Sequence, residues 1–423
     1  MERGISKDEA IGRRGRLLTA ATFSQFGGSV AHRGTEVLGV FFAAAYQLSL
    51  AQMGTMIAVL TLGLVLSGLV VGSLVDRYGP RRVLFVGTLL LLIPTTVIAT
   101  VHLLPVTVAM LFVLGLLLAT VPITGMTAIL MASPPERRGL PMGIRQMAVP
   151  AGVIVAALVL PTLATRYGPH PLYVGFAVLI AITGLAFCAV LPGQPVRIAR
   201  ASHDGPLLRS ELSRLAVPAL CGFLMSWGQI GLTAYTIPFL HDRHGISLAA
   251  AGVLLAVSQV GAAGARIFLG YIADRLSGRY DQVLLATAVS GAILAGVVAV
   301  LPRGFGILAL VSLWFLLGAA MVGWNALMLT WSGERVSARN TGAAMGLTTS
   351  AILLGAAIAA PGFGLIVEAG GYQSAWLALG AILMVVAVIL WANMRLPVRW
   401  AQMKRSQSAL MALGERERKT MEA

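Results

Sequence analysis

Four ionisable side chains lie inside long apolar stretches of the sequence: Arg33, Glu36, Arg145 and Arg266. A charge in the hydrocarbon core of a membrane is costly unless it is paired or faces water, so such residues mark binding sites and ion pathways. Three positive charges against one negative charge favour an anionic ligand, and the guanidinium fork matches a planar oxyanion. We therefore predict that Arg33, Arg145 and Arg266 bind a small anion.

Simpler interpretations of these four residues stay open. Arg33 and Glu36 are three positions apart, on one helical face, and could neutralise each other. Arg145 could extend its charge to the membrane surface, and Arg266 could form a structural ion pair. Glu36 is the only carboxylate well inside an apolar stretch, so we predict that it carries the proton if transport is proton-coupled.

Two other apolar stretches carry polar and aromatic side chains. Trp227, Gln229 and Tyr235 lie in one of them, and Asn325 lies in another. As a set they could line a substrate pocket, whereas each alone is explained equally well by packing or by a hydrogen bond between helices. We include all four in the predicted substrate site.

The elements that position these groups are strongly apolar. The chain has 423 residues, of which 57% are hydrophobic and 11% charged, whereas a soluble domain carries about 25% charged residues. Roughly 20 apolar residues cross the hydrocarbon core as a helix, and lipid does not tolerate open strand edges. The sequence thus predicts an all-α membrane protein with twelve transmembrane helices, at about 17–45, 53–75, 82–102, 106–132, 141–165, 171–192, 214–240, 247–274, 281–302, 304–331, 341–368 and 373–395.

Composition also excludes several function classes. The net charge is +15, but the basic residues occupy short gaps between apolar runs instead of one soluble face, so we expect no nucleic-acid partner. Cys188 and Cys221 both fall within apolar runs, and neither a disulfide framework nor metal-ligand spacing is present in the sequence. No nucleophile–base set or phosphate loop is visible, so we expect neither an enzyme nor a cofactor.

The distribution of Lys and Arg predicts the orientation in the membrane. Of the 31 Lys and Arg residues, 25 lie in the alternate segments that include the N-terminus, and three, Arg166, Arg243 and Arg303, lie in the opposite loops. Positive residues concentrate on the cytoplasmic side. We therefore predict a multi-pass protein of the cell inner membrane with both termini in the cytoplasm.

The two halves of the sequence resemble each other. GSLVDRYGPRR from Gly72 to Arg82 is echoed by GYIADRLSGRY from Gly270 to Tyr280, at an offset of 198 residues. GLPMG from Gly139 is echoed by GAAMG from Gly342, at an offset of 203. Parallel repeats of this kind predict two six-helix bundles related by an axis along the membrane normal. We assign residues 1–192 and 214–395 to the bundles, 193–213 to a cytoplasmic linker and 396–423 to a cytoplasmic tail.

The first repeated segment resembles the signature of the major facilitator superfamily, with Gly72, Asp76, Arg77, Gly79, Arg81 and Arg82 in the pattern G-x-x-x-D-R-x-G-x-R-R. The resemblance implies a substrate path between the two bundles and alternating access by rocking. Asp76 can accept hydrogen bonds from a helix N-terminus or from arginines. We predict that these residues, with the weaker echo of Gly270, Asp274 and Arg275, form a conformational latch when the inner side is closed. The alternative is that this loop only sets the topology.

Arg266 lies in R-x-x-x-G-x-x-A, which is similar to the eighth-helix pattern of monocarboxylate carriers, where the arginine engages the substrate carboxylate. Ala262 stands where those carriers have an aspartate. We predict secondary active transport of a small anion, specifically an organic carboxylate. Coupling of this transport to protons stays open. The expected partners are that substrate, protons and the lipid bilayer, and we expect a monomer.

Two other functions compete with this prediction. One is a proton-driven exporter of drugs or metabolites with the same fold, although the fourth helix lacks the arginine that such antiporters carry. The other is a membrane enzyme or sensor, for which the sequence offers no catalytic set or signalling domain.

Overall fold

The structure is a computed structural model that describes residues 7–132, 139–191, 209–276, 278–337 and 340–395. Most of the predicted linker and the whole predicted tail lie outside the described residues. Within these ranges the chain forms fourteen α-helices and no strand. They are α1 (Lys7–Tyr46), α2 (Leu50–Tyr78), α3 (Pro80–Thr100), α4 (Leu104–Leu118), α5 (Thr120–Ala132), α6 (Gly139–Gln146), α7 (Ala148–Tyr167), α8 (Leu172–Val190), α9 (Arg209–His244), α10 (Leu248–Arg275), α11 (Tyr280–Ala299), α12 (Ile307–Met321), α13 (Asn325–Glu334) and α14 (Thr341–Arg395).

These helices make the twelve predicted crossings. Ten of the described helical stretches are long and apolar enough to span a membrane. The longest, α14, contains two of the predicted helices joined at Gly371, which has a φ of 76°. The less apolar α1 completes the twelve. The fourth, fifth and tenth predicted helices are each interrupted, at Ala119, at Met147 and at residues 322–324.

Local chemistry explains how the helices begin and end. Ser49 caps the N-terminus of α2 in a capping box with Gln52, which satisfies backbone N–H groups that have no partner within the helix. A single residue, Gly79, joins α2 to α3 with a φ of 83°, a conformation that glycine adopts without strain. Pro80 then begins α3, where its missing N–H is not needed. The signature segment is therefore a tight turn.

The packing of helices repeats at the two sequence offsets. In the first half, Gly63 of α2 packs against the backbone of α4 at Gly115. In the second half, Gly261 of α10 packs against Phe315 of α12, and Gly318, one turn further along α12, packs against α10. Gly63 and Gly261 are 198 residues apart, and Gly115 and Gly318 are 203 apart. A Cβ at any of these positions would collide with a neighbouring backbone. Close glycine contacts of this kind let helices associate in lipid.

In the described part of the chain, the close backbone contacts between the two halves lie at one end of the molecule. We call the end predicted to face the cytoplasm the inner end and the opposite one the outer end. At the outer end Gly54 of α2 lies against Ala360 of α14, and Gly252 of α10 lies against Ala157 of α7. Eighteen residues, or five helical turns, further in, Gly72 and Gly270 occupy the same faces of α2 and α10. No described atom lies within 4 Å of a Cβ built at either position. The structure is therefore closed at the outer end and open at the inner end.

Candidate functional site

The centre of α1 carries a buried ion pair. Arg33 donates a hydrogen bond of 2.6 Å from Nη1 to Oε1 of Glu36, whose side chain is only 2% exposed. Nε2 of His32 lies 4.0 Å from the same oxygen and is buried without a hydrogen-bond partner in the described part of the chain. Arg33 and Glu36 therefore form a buried ion pair within one helix, in which the two charges neutralise each other.

Residues of the other half approach this pair. The hydroxyl of Thr233 on α9 lies beside the Glu36 carboxylate, although it makes no well-aligned hydrogen bond. Arg266 lies on α10, in the other half, and is half-buried. Its Nε is buried and has no acceptor among the described residues. Position 262, one turn earlier on α10, is a fully buried alanine. It therefore offers no carboxylate that could pair with Arg266.

A break in the tenth transmembrane helix adjoins the same place. Gly323, between α12 and α13, packs so closely on Ala265 of α10 that an added Cβ would collide with it. Just beyond the break, Nδ2 of Asn325 donates to Oε1 of Gln229 on α9 at 2.9 Å and to the carbonyl of Val322 at 3.0 Å. Gln229 and Asn325 are thus joined by a hydrogen bond between helices, on the α9 face that also carries Thr233, and their contact with substrate stays a prediction.

The break has a counterpart in the first half. Val322 and Ala119, where α4 gives way to α5, are 203 residues apart, the same offset as the other repeated features. In transporters, interrupted helices in corresponding positions of the two halves commonly mark the binding site. The charged cluster of Arg33, Glu36 and Arg266 lies next to one member of this pair.

Arg145 has a different partner. It is 4% exposed and donates from Nη1 to Oε1 of Gln25 on α1 at 2.6 Å, beside Gly125 of α5. Its side chain is therefore buried and does not extend to the membrane surface, and its hydrogen-bond partner is Gln25. Its predicted role in substrate binding stays a prediction.

Sequence reasoning missed Gln25, although a signal was present. Gln25, Ser29, His32 and Glu36 follow one another at spacings of four, three and four residues. This spacing places them on one face of α1. Within the first half, Ser29 lies against Gly152 of α7 and Gln25, the inner member of the stripe, contacts Arg145 of α6.

Tyr235 and Trp227 belong to the outer closure and to helix packing. The Tyr235 hydroxyl donates to the carbonyl of Ala360 on α14 and lies 3.2 Å from the carbonyl of Leu50 on α2. Its ring packs on Phe363 at 4.5 Å. Trp227 lies against Gly362, and its Nε1 has no partner in the described ranges. Tyr235 therefore ties three helices of both halves together, and its predicted contact with substrate remains untested.

The predicted latch residues are apart in this structure. Asp76, Arg81 and Arg82 are exposed and form no ion pair among the described residues, and Arg77 lies over the ring of Tyr78 at 5.2 Å. In the second half, Asp274 is exposed and Arg275 lies over the ring of Tyr271 at 4.9 Å. The three glycines of the predicted latch lie in these two segments, Gly72 and Gly79 in the first and Gly270 in the second. An unformed latch accords with an open inner end, and the latch itself stays a prediction.

Known proteins resemble this chain along most of its length. An uncharacterised MFS-type transporter of Mycobacterium tuberculosis, Rv2994, is 29% identical over 332 residues, which cover 77% of this chain and 73% of the relative. A probable nitrate/nitrite transporter of the same organism, NarK2, is 26% identical over 75% of this chain and 80% of its own length.

Solved structures show the same fold. The nucleoside transporter NupG superposes with a TM-score of 0.72 at 18% identity, over 90% of this chain and 99% of that one. A D-xylose-proton symporter superposes with a TM-score of 0.70 at 18% identity, over 91% and 98%. The family model described as Major Facilitator Superfamily matches residues 18–311 and 219–417. With twelve helices in two repeated halves and this match along the chain, the protein belongs to the major facilitator superfamily and is a multi-pass membrane transporter, not an enzyme.

Proposed function

We propose that the protein is a secondary active transporter of small anions, organic carboxylates first, which it moves across the inner membrane by alternating access. One observation carries the proposal. Glu36 pairs with Arg33 at 2.6 Å, and Nε of Arg266, in the opposite half, is buried without an acceptor among the described residues. One positive charge is left without a carboxylate in the described site, and a bound anion would supply the missing partner.

The position of the two arginines supports a link between binding and rocking. They lie on α1 and α10, so an anion between them would bridge the halves and relieve their mutual repulsion. Substrate would then favour closure at the inner end, where the signature residues form the latch. Both termini lie in the cytoplasm in this proposal, since the positive residues concentrate there.

Glu36 is the group proposed to carry a coupled proton. Protonation would release Arg33 from its 2.6 Å bond and leave two arginines available to the substrate. Deprotonation would restore the internal pair and favour release of the anion. The His32 ring, 4.0 Å away, is the nearest additional titratable group in the described cluster.

The resemblance to NarK2 widens the range of anions to be tried. NarK2 is named a probable nitrate/nitrite transporter, so planar inorganic oxyanions belong beside carboxylates. The alternative function is proton-driven export of drugs or metabolites. Hypersensitivity of a deletion strain to cationic drugs, without anion counterflow by the purified protein, would favour that alternative.

The decisive experiment is counterflow in proteoliposomes, after a thermal-shift screen against small carboxylates, nitrate and nitrite. Arg266→Lys keeps the charge but loses the planar fork. Removing one charge-assisted contact costs on the order of 1.5–3 kcal/mol, or roughly a ten- to hundredfold loss of affinity. We expect both Arg266→Lys and Arg266→Ala to lose anion transport while folding normally. Wild-type transport by Arg266→Ala would refute the anion site.

A further inference from the structure

An apolar groove of about 600 Å³ runs along the inner half of the first bundle, between α2 and α3, with α4 and α5 behind it. The two helices are consecutive, yet each packs mainly on other helices. Leu66, Val70 and Leu74 form one wall at every fourth position of α2, and Val86 and Leu90 form the facing wall on α3. These side chains are exposed. Because the spacing of four keeps them on one helical face, the groove is a straight, apolar channel along the membrane normal.

The inner end of the groove is polar and basic. Tyr78 and Arg82 line it there, and Arg77 lies 5.2 Å from the centre of the Tyr78 ring. Arg82 is exposed and has no ion pair among the described residues. Asp76, the nearby carboxylate in the sequence, is also exposed and unpaired within the described ranges. A positive charge thus lies at one end of an apolar channel, without a carboxylate partner in the part of the chain that the structure describes.

The dimensions of the groove match one leaflet of a bilayer. From Leu66 to Tyr78 the helix advances 12 residues, about 18 Å at 1.5 Å per residue, and one leaflet of hydrocarbon is about 15 Å deep. In the predicted orientation Arg82 lies at the depth of the cytoplasmic headgroups, and the apolar walls reach the membrane centre. The apolar walls are suited to the acyl chain of a lipid, and the positive charge of Arg82 is suited to its phosphate.

The second half lacks this combination. The position equivalent to Arg82, 198 residues on, is Tyr280, which is buried and donates a hydrogen bond of 2.8 Å to Glu334. A tyrosine held by a carboxylate offers nothing to a phosphate. The arginine at position 82 is therefore specific to the first bundle, although the turn of the second half keeps an exposed arginine at position 279.

We propose that this groove binds an anionic phospholipid of the cytoplasmic leaflet, with an acyl chain between α2 and α3 and the phosphate on Arg82. The lipid would occupy the basic turn of the signature while the inner end is open. Its binding is independent of which substrate the protein carries, and this proposal stands or falls separately from anion transport.

Native mass spectrometry of the purified full-length chain tests the proposal, with dioleoyl-phosphatidylglycerol and dioleoyl-phosphatidylcholine as probes that have the same acyl chains. We expect tighter retention of phosphatidylglycerol. Arg82→Gln should weaken it about fivefold and leave phosphatidylcholine unchanged. Val70→Trp, which fills the groove, should weaken both lipids. The matched control is Arg279→Gln, an exposed arginine at the turn of the second half, and it should change neither.

Three results would overturn the proposal. Equal retention of the two lipids by the wild-type chain would show that no charge is recognised. Undiminished binding of phosphatidylglycerol by both Arg82→Gln and Val70→Trp would place the lipid elsewhere. A change from dimer to monomer in Val70→Trp would identify a second copy of this chain as the occupant of the groove.

Discussion

Glu368 holds the outer ends of the two halves together. Its Oε1 accepts a hydrogen bond of 2.7 Å from the backbone N–H of Ala51, in the first turn of α2. The carboxylate of α14 thus lies at the N-terminus of a helix from the other half, where negative charge is favoured. The equivalent of Glu368 in the first half, 203 residues earlier, is Thr165, whose hydroxyl bonds to its own helix at Pro161. Among the described residues, the carboxylate contact is therefore made on the α2–α14 side of the outer closure and has no counterpart at Thr165.

We predict that Glu368→Gln shifts the protein towards the outward-open state. A surface charge at a helix N-terminus contributes about 0.3–1 kcal/mol, which is about a two- to fivefold change in the ratio of the two states. Glu368→Ala also removes the acceptor and should shift the ratio at least as far. Because the contact is exposed, high salt should reduce the difference between wild type and variant.

Double electron–electron resonance measures this ratio. Spin labels at Leu103→Cys and Ile307→Cys would report the separation of the outer ends, and the two native cysteines, Cys188 and Cys221, are buried. The control is Asp242→Asn, because Asp242 accepts a 2.7 Å hydrogen bond from Tyr372 at the outer surface but within one half. Unchanged distances in both Glu368 variants would refute the reasoning. An equal shift in Asp242→Asn would show a general effect of surface charge.

The site and the topology lead to three further predictions. Glu36→Gln should abolish uptake driven by a pH gradient but spare exchange of substrate for substrate, since the charge that pairs with Arg33 is lost while the arginine stays; concentrative uptake by the variant would remove Glu36 from coupling. Asp76→Asn should lower turnover in vesicles with nearly normal expression, and Asp274→Asn should do so less, because the second signature is incomplete; wild-type turnover of Asp76→Asn would argue against the latch. Reporter fusions at Arg209 and in the tail should be cytoplasmic and a fusion at Arg243 periplasmic, and a periplasmic tail would overturn the predicted orientation.

The interruptions of the fourth and tenth transmembrane helices differ in how far the sequence anticipates them. Pro122 removes the N–H that would bond to the carbonyl of Leu118, so a break near Ala119 is expected from local chemistry. The break at 322–324 contains no proline. Gly323 there lies directly on Ala265, and only the packed structure reveals that contact.

The sequence by itself determined the helices, their repeat and the short list of intramembrane charges. It could do so because lipid forces each long apolar stretch to satisfy its hydrogen bonds within one helix, and because a buried charge is too costly to occur without a role or a partner. The tertiary structure decided which residues meet. Helical periodicity determines the face of the helix on which Arg145 or Arg266 lies. It does not determine how the neighbouring helix is rotated about its axis or shifted along it, and these decide which side chains meet. The rotation and the shift depend on close contacts such as Gly54 with Ala360, which are made between residues about three hundred positions apart. For that reason the bond from Arg145 to Gln25, the buried Nε of Arg266 without an acceptor in the described chain and the closed outer end could be read only from the folded structure.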